Sequence, residues 1–198
     1  MSKILPWEVT ATRITYEDEW LRVRTDTCKT GAGKLIENFH IIEPKDWVNI
    51  IALTDGGEVV CIREYRHGVG AVTLGLPGGV CDDEDVSPAI TAARELEEET
   101  GYICSTVVAT GQTCANWADH SNQIFYFLGF GATRTGQINL DENEEIEVDL
   151  QPYEAFSAYD FDGPKHSHHA AALFFAERYF KQHPETFPNS LNASGTQA

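Results

Sequence analysis

The feature that most constrains this sequence is a helix marked at both ends, between Ser87 and Gly101. Ser87 is a favoured N-cap, and Pro88 suits the first helical position, where its missing N–H would have no intrahelical partner anyway. Gly101 supplies the left-handed residue that commonly stops a helix. At about 100° per residue, Ala89, Ala92, Ala93, Leu96 and Thr100 share one arc and are expected to face a core. Glu95, Glu98 and Glu99 fall on the adjoining arc, because positions three and four apart are neighbours on a helix; Glu97 points elsewhere. Three carboxylates beside a buried face repel one another. Arg94, four residues before Glu98, can pair with it, and a hard divalent cation would satisfy the rest, since Mg²⁺ is held by a few carboxylates together with water and phosphate oxygens. A glutamate run alone is usually a solvated face. Here it follows Pro77-Gly78-Gly79, a turn that lets the backbone approach a ligand closely, so turn and carboxylates are read as one site.

The rest of the chain reads as mostly strands before this helix and as strands and a helix after it. Residues 8–42 alternate apolar and polar and break at Gly31-Ala32-Gly33, a hairpin signal. Trp47–Ala52 and Glu58–Arg63 flank Asp55-Gly56-Gly57, a second hairpin, and Val72–Leu76 leads into the Pro-Gly-Gly turn. Strand-like runs at Thr106–Thr110 and Gln123–Phe130 follow, then an acidic loop at Asp141–Glu147. A last helix carries His166, His168 and His169 at its start and stops at Pro184. The three histidines lack paired metal-ligand spacing and read as helix-opening residues. The expected organisation is a β-rich extension over residues 1–46, a catalytic domain over 47–183 and a polar tail over 184–198. The fold class is α/β.

A net charge of −17 over 198 residues disfavours nucleic acid and anionic membranes as partners. It also means that a phosphate substrate needs clustered cationic side chains or bound metal. No run approaches eighteen apolar residues, so no membrane span is expected. Five cysteines without CxxC spacing, and an N-terminus without a long apolar run, read as a cytoplasmic protein without structural zinc. There is no P-loop, and Asp82–Asp85 lacks the glycine of an EF-hand loop.

The segment "GGVCDDEDVSPAITAARELEEETGY" resembles the Nudix box, Gly-x5-Glu-x7-Arg-Glu-U-x-Glu-Glu-x-Gly-U with U apolar. Arg94, Glu95, Leu96, Glu98, Glu99, Gly101 and Tyr102 match its second half without a gap. The first half departs: from Gly79 the loop is one residue longer, and Asp85, or Glu84 beside it, stands where glutamate is expected. The resemblance implies a mixed sheet between helices, an α/β/α sandwich with the β-rich extension attached. It also implies Mg²⁺, or Mn²⁺ in its place, held by Glu95, Glu98 and Glu99 with the Gly78 carbonyl, neutralising a diphosphate and lowering the pKa of an attacking water.

The extension and the strand pair "IREYRHGVGAVTLGLPGG" further resemble the ADP-ribose/ADP-sugar pyrophosphatase branch, in which the extension builds a homodimer. That resemblance implies phosphate contacts from Arg63 and Arg66, whose planar guanidinium suits phosphate oxygens. Gly75 stands where the branch often carries glutamate. "LDENEEIEV" resembles the branch's acidic loop, making Glu142 the first candidate for catalytic base and Glu144 the second. Trp117, in "ANWADHSNQ", is placed near the substrate, where it could stack on a base or be a structural Trp. The implied function is cleavage of a nucleoside diphosphate sugar, ADP-ribose first. Other nucleoside diphosphate derivatives, dinucleotides and nucleoside triphosphates remain open. So does a nucleotide-sensing regulator without catalysis, which the intact glutamate set disfavours.

Overall fold

The structure, a computed structural model, describes residues 4–187. The described residues divide into two units, residues 4–46 with 113–123, and residues 47–112 with 124–187. Residues 113–123, placed in the catalytic domain by the linear reading, belong to the first unit.

In the first unit, β1 (Glu8–Glu17), β2 (Arg22–Lys29) and β3 (Leu35–Ile42) form an antiparallel sheet in the order β1-β2-β3. Its middle strand carries a polar interior: Asp26 accepts from Thr12 at 2.8 Å and pairs with Arg24 at 3.0 Å, and Thr25 bonds His40 at 2.8 Å. Residues 113–123 are tied to the end of β3 by the amide of Ile42 on the Asp119 carbonyl, and by the amide of Ser121 on the Ile42 carbonyl. All of β1 is exposed, and Trp7, Val9, Ile14, Tyr16, Trp20, Leu21 and Leu35 leave apolar surface open.

The second unit is built on a mixed sheet of β4 (Trp47–Leu53), β5 (Glu58–Arg66), β6 (Ala71–Gly75), β8 (Thr106–Cys114), β9 (Gln123–Phe130) and β11 (Ile146–Pro152), in the order β11-β5-β4-β9-β8, with β6 on β5. The β4–β9 pair is parallel, and the pairs β5 makes are antiparallel. β7 (Tyr102–Ile103) and β10 (Thr133–Arg134) make a short ribbon. Helix α1 (Pro88–Thr100) covers one face, its Ala92 and Leu96 packing on Val48, Ile50, Ala52, Val60 and Phe127. On the other face lies α3 (Ser167–Gln182), whose Phe175 stacks on Tyr126 at 5.3 Å. This is the α/β/α sandwich the sequence implied.

Two local expectations need correction. Ala93 is exposed whereas Thr91 and Glu99 are buried, so the covered arc of α1 is turned toward Glu99. A short helix α2 (Tyr153–Ser157) was not anticipated. The chain also stays packed past Pro184: a 3₁₀ turn at Pro184–Thr186 sets Phe187 against Phe180 at 4.9 Å and Tyr153 at 5.7 Å. The remainder of the polar tail lies outside the described residues.

Candidate active site

The Pro77–Gly79 turn, β4 and α1 together position the glutamates. Pro77 and Gly79 pair with the second unit's central strand, their carbonyls accepting the amides of Ile50 at 3.1 Å and Val48 at 2.9 Å. A Cβ on Gly78 would collide with the Val48 carbonyl and the Asn49 side chain, so only glycine fits so close to the strand. The Gly78 N–H donates to Glu99 Oε2 at 3.0 Å, which binds the turn to the helix. At the far end, Gly101 takes φ +70° and its N–H closes on the Glu97 carbonyl at 2.7 Å. Ser87 caps by backbone alone, its carbonyl accepting from Ile90 and Thr91, without a side-chain capping bond.

Arg94 is the hub of the site. Its guanidinium pairs with Glu98 at 2.8 Å, Glu95 at 2.9 Å and Asp85 at 3.0 Å, and reaches the Val80 carbonyl at 3.3 Å. Asp85 also accepts from Thr91 at 2.9 Å, so this residue, shorter than the expected glutamate, anchors the arginine from a turn closed between Asp82 and Asp85. The hydrogen bond from Arg94 holds Asp85 below its ordinary pKa. Glu97 is exposed, as its place on the helix requires.

The buried glutamates are electrostatically unsettled. Glu99, 4% exposed, has its pKa pushed up by burial to about 9, against the lowering effect of the Gly78 amide. Burial lifts Glu95 to about 7, with Arg94 opposing. Glu144 raises both, and Glu64 raises Glu99. Glu64, on β5, was not singled out from sequence; it is itself raised by burial and pairs with Arg66. Its signal was present in the alternation of β5, where Glu64 and Arg66 share one side and Arg63 takes the other.

Among the described residues no three acidic or histidine side chains already stand around a common point at ligating distance. Arg94 holds two of the glutamates. The donor set nonetheless fits a hard divalent cation: oxygen ligands only and like-charged, with burial holding protons on Glu95 and Glu99 that a bound positive charge would displace. Glu95, Glu98 and Glu99 would hold it, with the backbone of Gly78 beside Glu99.

The remaining candidates divide. The charge of Glu144 is felt by Glu64, Glu95 and Glu99, and its own carboxylate accepts from the Asp141 amide at 3.1 Å. Glu142 occupies the exposed turn before it. Arg66 lies beside Glu64, whereas Arg63 is taken by Asp149 of β11 at 2.6 Å. Trp117 belongs to the first unit, 91% exposed in the β8–β9 connection.

The chain is similar to several known proteins. An ADP-ribose pyrophosphatase of Mycobacterium tuberculosis is 31% identical over 130 residues, 65% of this chain and 60% of that protein. A methanol dehydrogenase activator of Bacillus methanolicus is 24% identical over 150 residues, 75% of this chain and 80% of that one. A crystal structure described as an ADP compounds hydrolase superposes with a TM-score of 0.81 at 17% identity, covering 92% of this chain and 98% of its own, which establishes the likeness of fold. The NUDIX domain family matches residues 44–174, a span that contains the Gly78 turn, Arg94 and all three helix glutamates, and the chain belongs to that family.

Proposed function

We propose that this protein is a Mg²⁺-dependent pyrophosphohydrolase that cleaves the diphosphate of a nucleoside diphosphate sugar, with ADP-ribose giving AMP and ribose 5-phosphate. The observation that carries this reading is the buried Glu99 on the Gly78 amide beside Glu95 and Glu98 on Arg94: a cluster in which the carboxylates outnumber their one arginine, which favours a divalent cation. Family members generally use divalent metals, and a bound Mg²⁺ would supply charge neutralisation for the diphosphate and acidify the attacking water. The M. tuberculosis relative's name points to ADP-ribose, but the alignment spans 60% of its length, so substrate and activity are assigned here by proposal.

The residues then have distinct tasks. Glu95, Glu98 and Glu99 hold the metal, and Arg94 orients two of them. Glu144 accepts a proton from the attacking water, ahead of Glu142, because its charge acts on the carboxylate cluster. A bond forms between the water oxygen and one phosphorus, and the bridging P–O bond breaks. Arg66 faces the phosphates once substrate competes with Glu64 for its guanidinium. Arg63 is committed to Asp149 and is a weaker candidate for the same task. Two copies of the chain associate through the first sheet, whose edge strand β1 is exposed along its full length and rimmed by apolar residues.

Glu98→Gln tests the reading, because it keeps the shape and removes a metal ligand together with the partner of Arg94. Turnover of ADP-ribose is lost, while Glu97→Gln leaves it near wild type. A folded Glu98→Gln protein with wild-type kcat refutes the assignment.

A further inference from the structure

The start of α3 holds a polar arrangement that the carboxylate cluster does not use. The ring centroid of His166 stands 4.6 Å from that of His168 and 5.0 Å from that of His169. His169 is the innermost of the three. Its imidazole fills the place a side chain at Gly75 would need, since a Cβ there would come within 2.9 Å of Cε1. The Leu76 N–H donates to His169 Nε2 at 3.4 Å, so Nε2 is the bare nitrogen and the proton of the neutral ring sits on Nδ1. Burial keeps the ring neutral by pushing its pKa down to about 3, with the charges of His166, His168 and Arg66 acting the same way. Nδ1–H is therefore a donor, closed off from solvent and without an acceptor among the described residues. A buried donor left unmet is costly and calls for a partner.

The surroundings specify that partner. Arg66 lies near enough for its charge to act on both His166 and His169. The first turn of this sixteen-residue helix has no side-chain cap, and it adds the partial positive charge and free N–H groups of a helix N-terminus. Cations are repelled from such a place and oxyanions are drawn to it. Arg66 pairs with Glu64, and Glu64 acts on Glu99, so the arrangement is linked along β5 to the carboxylates.

We propose that the N-terminus of α3, the Nδ1–H of His169 and the guanidinium of Arg66 form a phosphate subsite, which takes the phosphate of a diphosphate substrate that is remote from the helix glutamates. This rests on the pyrophosphohydrolase reading. His166 is the exposed residue of the three, whereas His168 and His169 are part-buried, so the solvent side of the subsite is at His166.

Imidazole ¹H–¹⁵N NMR of the metal-free protein, titrated with inorganic phosphate, tests the subsite without turnover. The His169 Nδ1–H resonance, assigned by its loss in His169→Phe, shifts and saturates. His169→Phe fills the same space without the donor and weakens phosphate binding about ten- to hundredfold, the usual consequence of losing one hydrogen bond to a charged group. His169→Asn, whose amide N–H can stand near Nδ1, recovers part of it, and KM for ADP-ribose follows the same order. A wild-type resonance that phosphate does not move overturns the proposal, whatever the variants do, and so does a His169→Phe protein that binds phosphate normally; a buried water then meets the donor. If phosphate moves His169 but no diphosphate is cleaved, the subsite stands and the pyrophosphohydrolase reading falls.

Discussion

Removing divalent cations should make this protein lose stability as the pH rises, and Mg²⁺ should restore it. In the metal-free chain burial sets Glu95 at about 7 and Glu99 at about 9, whereas glutamate in an unfolded chain titrates near 4.3. A carboxyl with a raised folded pKa holds its proton more tightly when folded, so the folded state is the more protonated one and stability falls with rising pH. The loss starts above the unfolded value, is complete for Glu95 just above pH 7, and continues for Glu99 to about pH 9. One pKa unit corresponds to about 1.4 kcal/mol, so Glu95 alone contributes roughly 4 kcal/mol, and Glu99 adds to it in the same direction. For a chain of this size each kcal/mol moves Tm by roughly 2–4 °C, so Glu95 alone gives a fall on the order of 10 °C between pH 5 and 9 in chelator, and Glu99 deepens it. Circular-dichroism melts across that window, with EDTA and with excess Mg²⁺, measure it directly. A bound cation favours the ionised carboxylates, so Mg²⁺ flattens the slope, and Glu99→Gln flattens it in EDTA. A Tm independent of pH in EDTA, or one slope with and without Mg²⁺, refutes the reasoning.

Other consequences follow from single contacts. Glu144→Gln lowers kcat by about 10²–10⁴-fold, the usual contribution of a general base, with Mg²⁺ affinity largely kept, and Glu142→Gln has the smaller effect; steady-state kinetics that reverse this order move the base to Glu142. Gly78→Ala drives a methyl into the Val48 carbonyl and the Asn49 amide and costs about 1–3 kcal/mol by the usual penalty of overpacking, read as a lower midpoint in urea. Light scattering returns about twice the 22.0 kDa chain mass, and a monomer at working concentration rejects the pairing of β1-edged sheets.

Much of this was legible because its causes are local. Pro88 and Gly101 fix the ends of α1 wherever the helix packs, and the short, mostly apolar runs Trp47–Ala52 and Gln123–Phe130 mark strands whatever their neighbours. The burial of α1 was legible only to within a residue or two. Glu99 is drawn inside by an amide donor on Gly78, twenty-one residues away, and periodicity carries no trace of that bond. Glu64 escaped notice because its neighbours at the site, Glu99 and Glu144, come from distant segments. The same holds for His169, which meets Gly75 from 94 positions along the chain, although a glycine ending a strand is a sign that something approaches closely. Glu144, whose charge acts on Glu64, Glu95 and Glu99, sits in a turn closed by its own amide on the Asp141 carbonyl at 3.0 Å, a detail below the resolution of an acidic run.

The central claim is that the Glu95, Glu98 and Glu99 cluster serves divalent-cation-dependent cleavage of a nucleoside diphosphate sugar. Phosphorus-31 NMR of ADP-ribose incubated with the full chain and Mg²⁺ tests it most directly, with GDP-mannose, NADH and ATP run in parallel and each repeated in EDTA. The diphosphate signal of ADP-ribose is expected to give way to the two monophosphate signals of AMP and ribose 5-phosphate, only when Mg²⁺ is present. An unchanged diphosphate signal in every sample, or cleavage at an equal rate in EDTA, contradicts it.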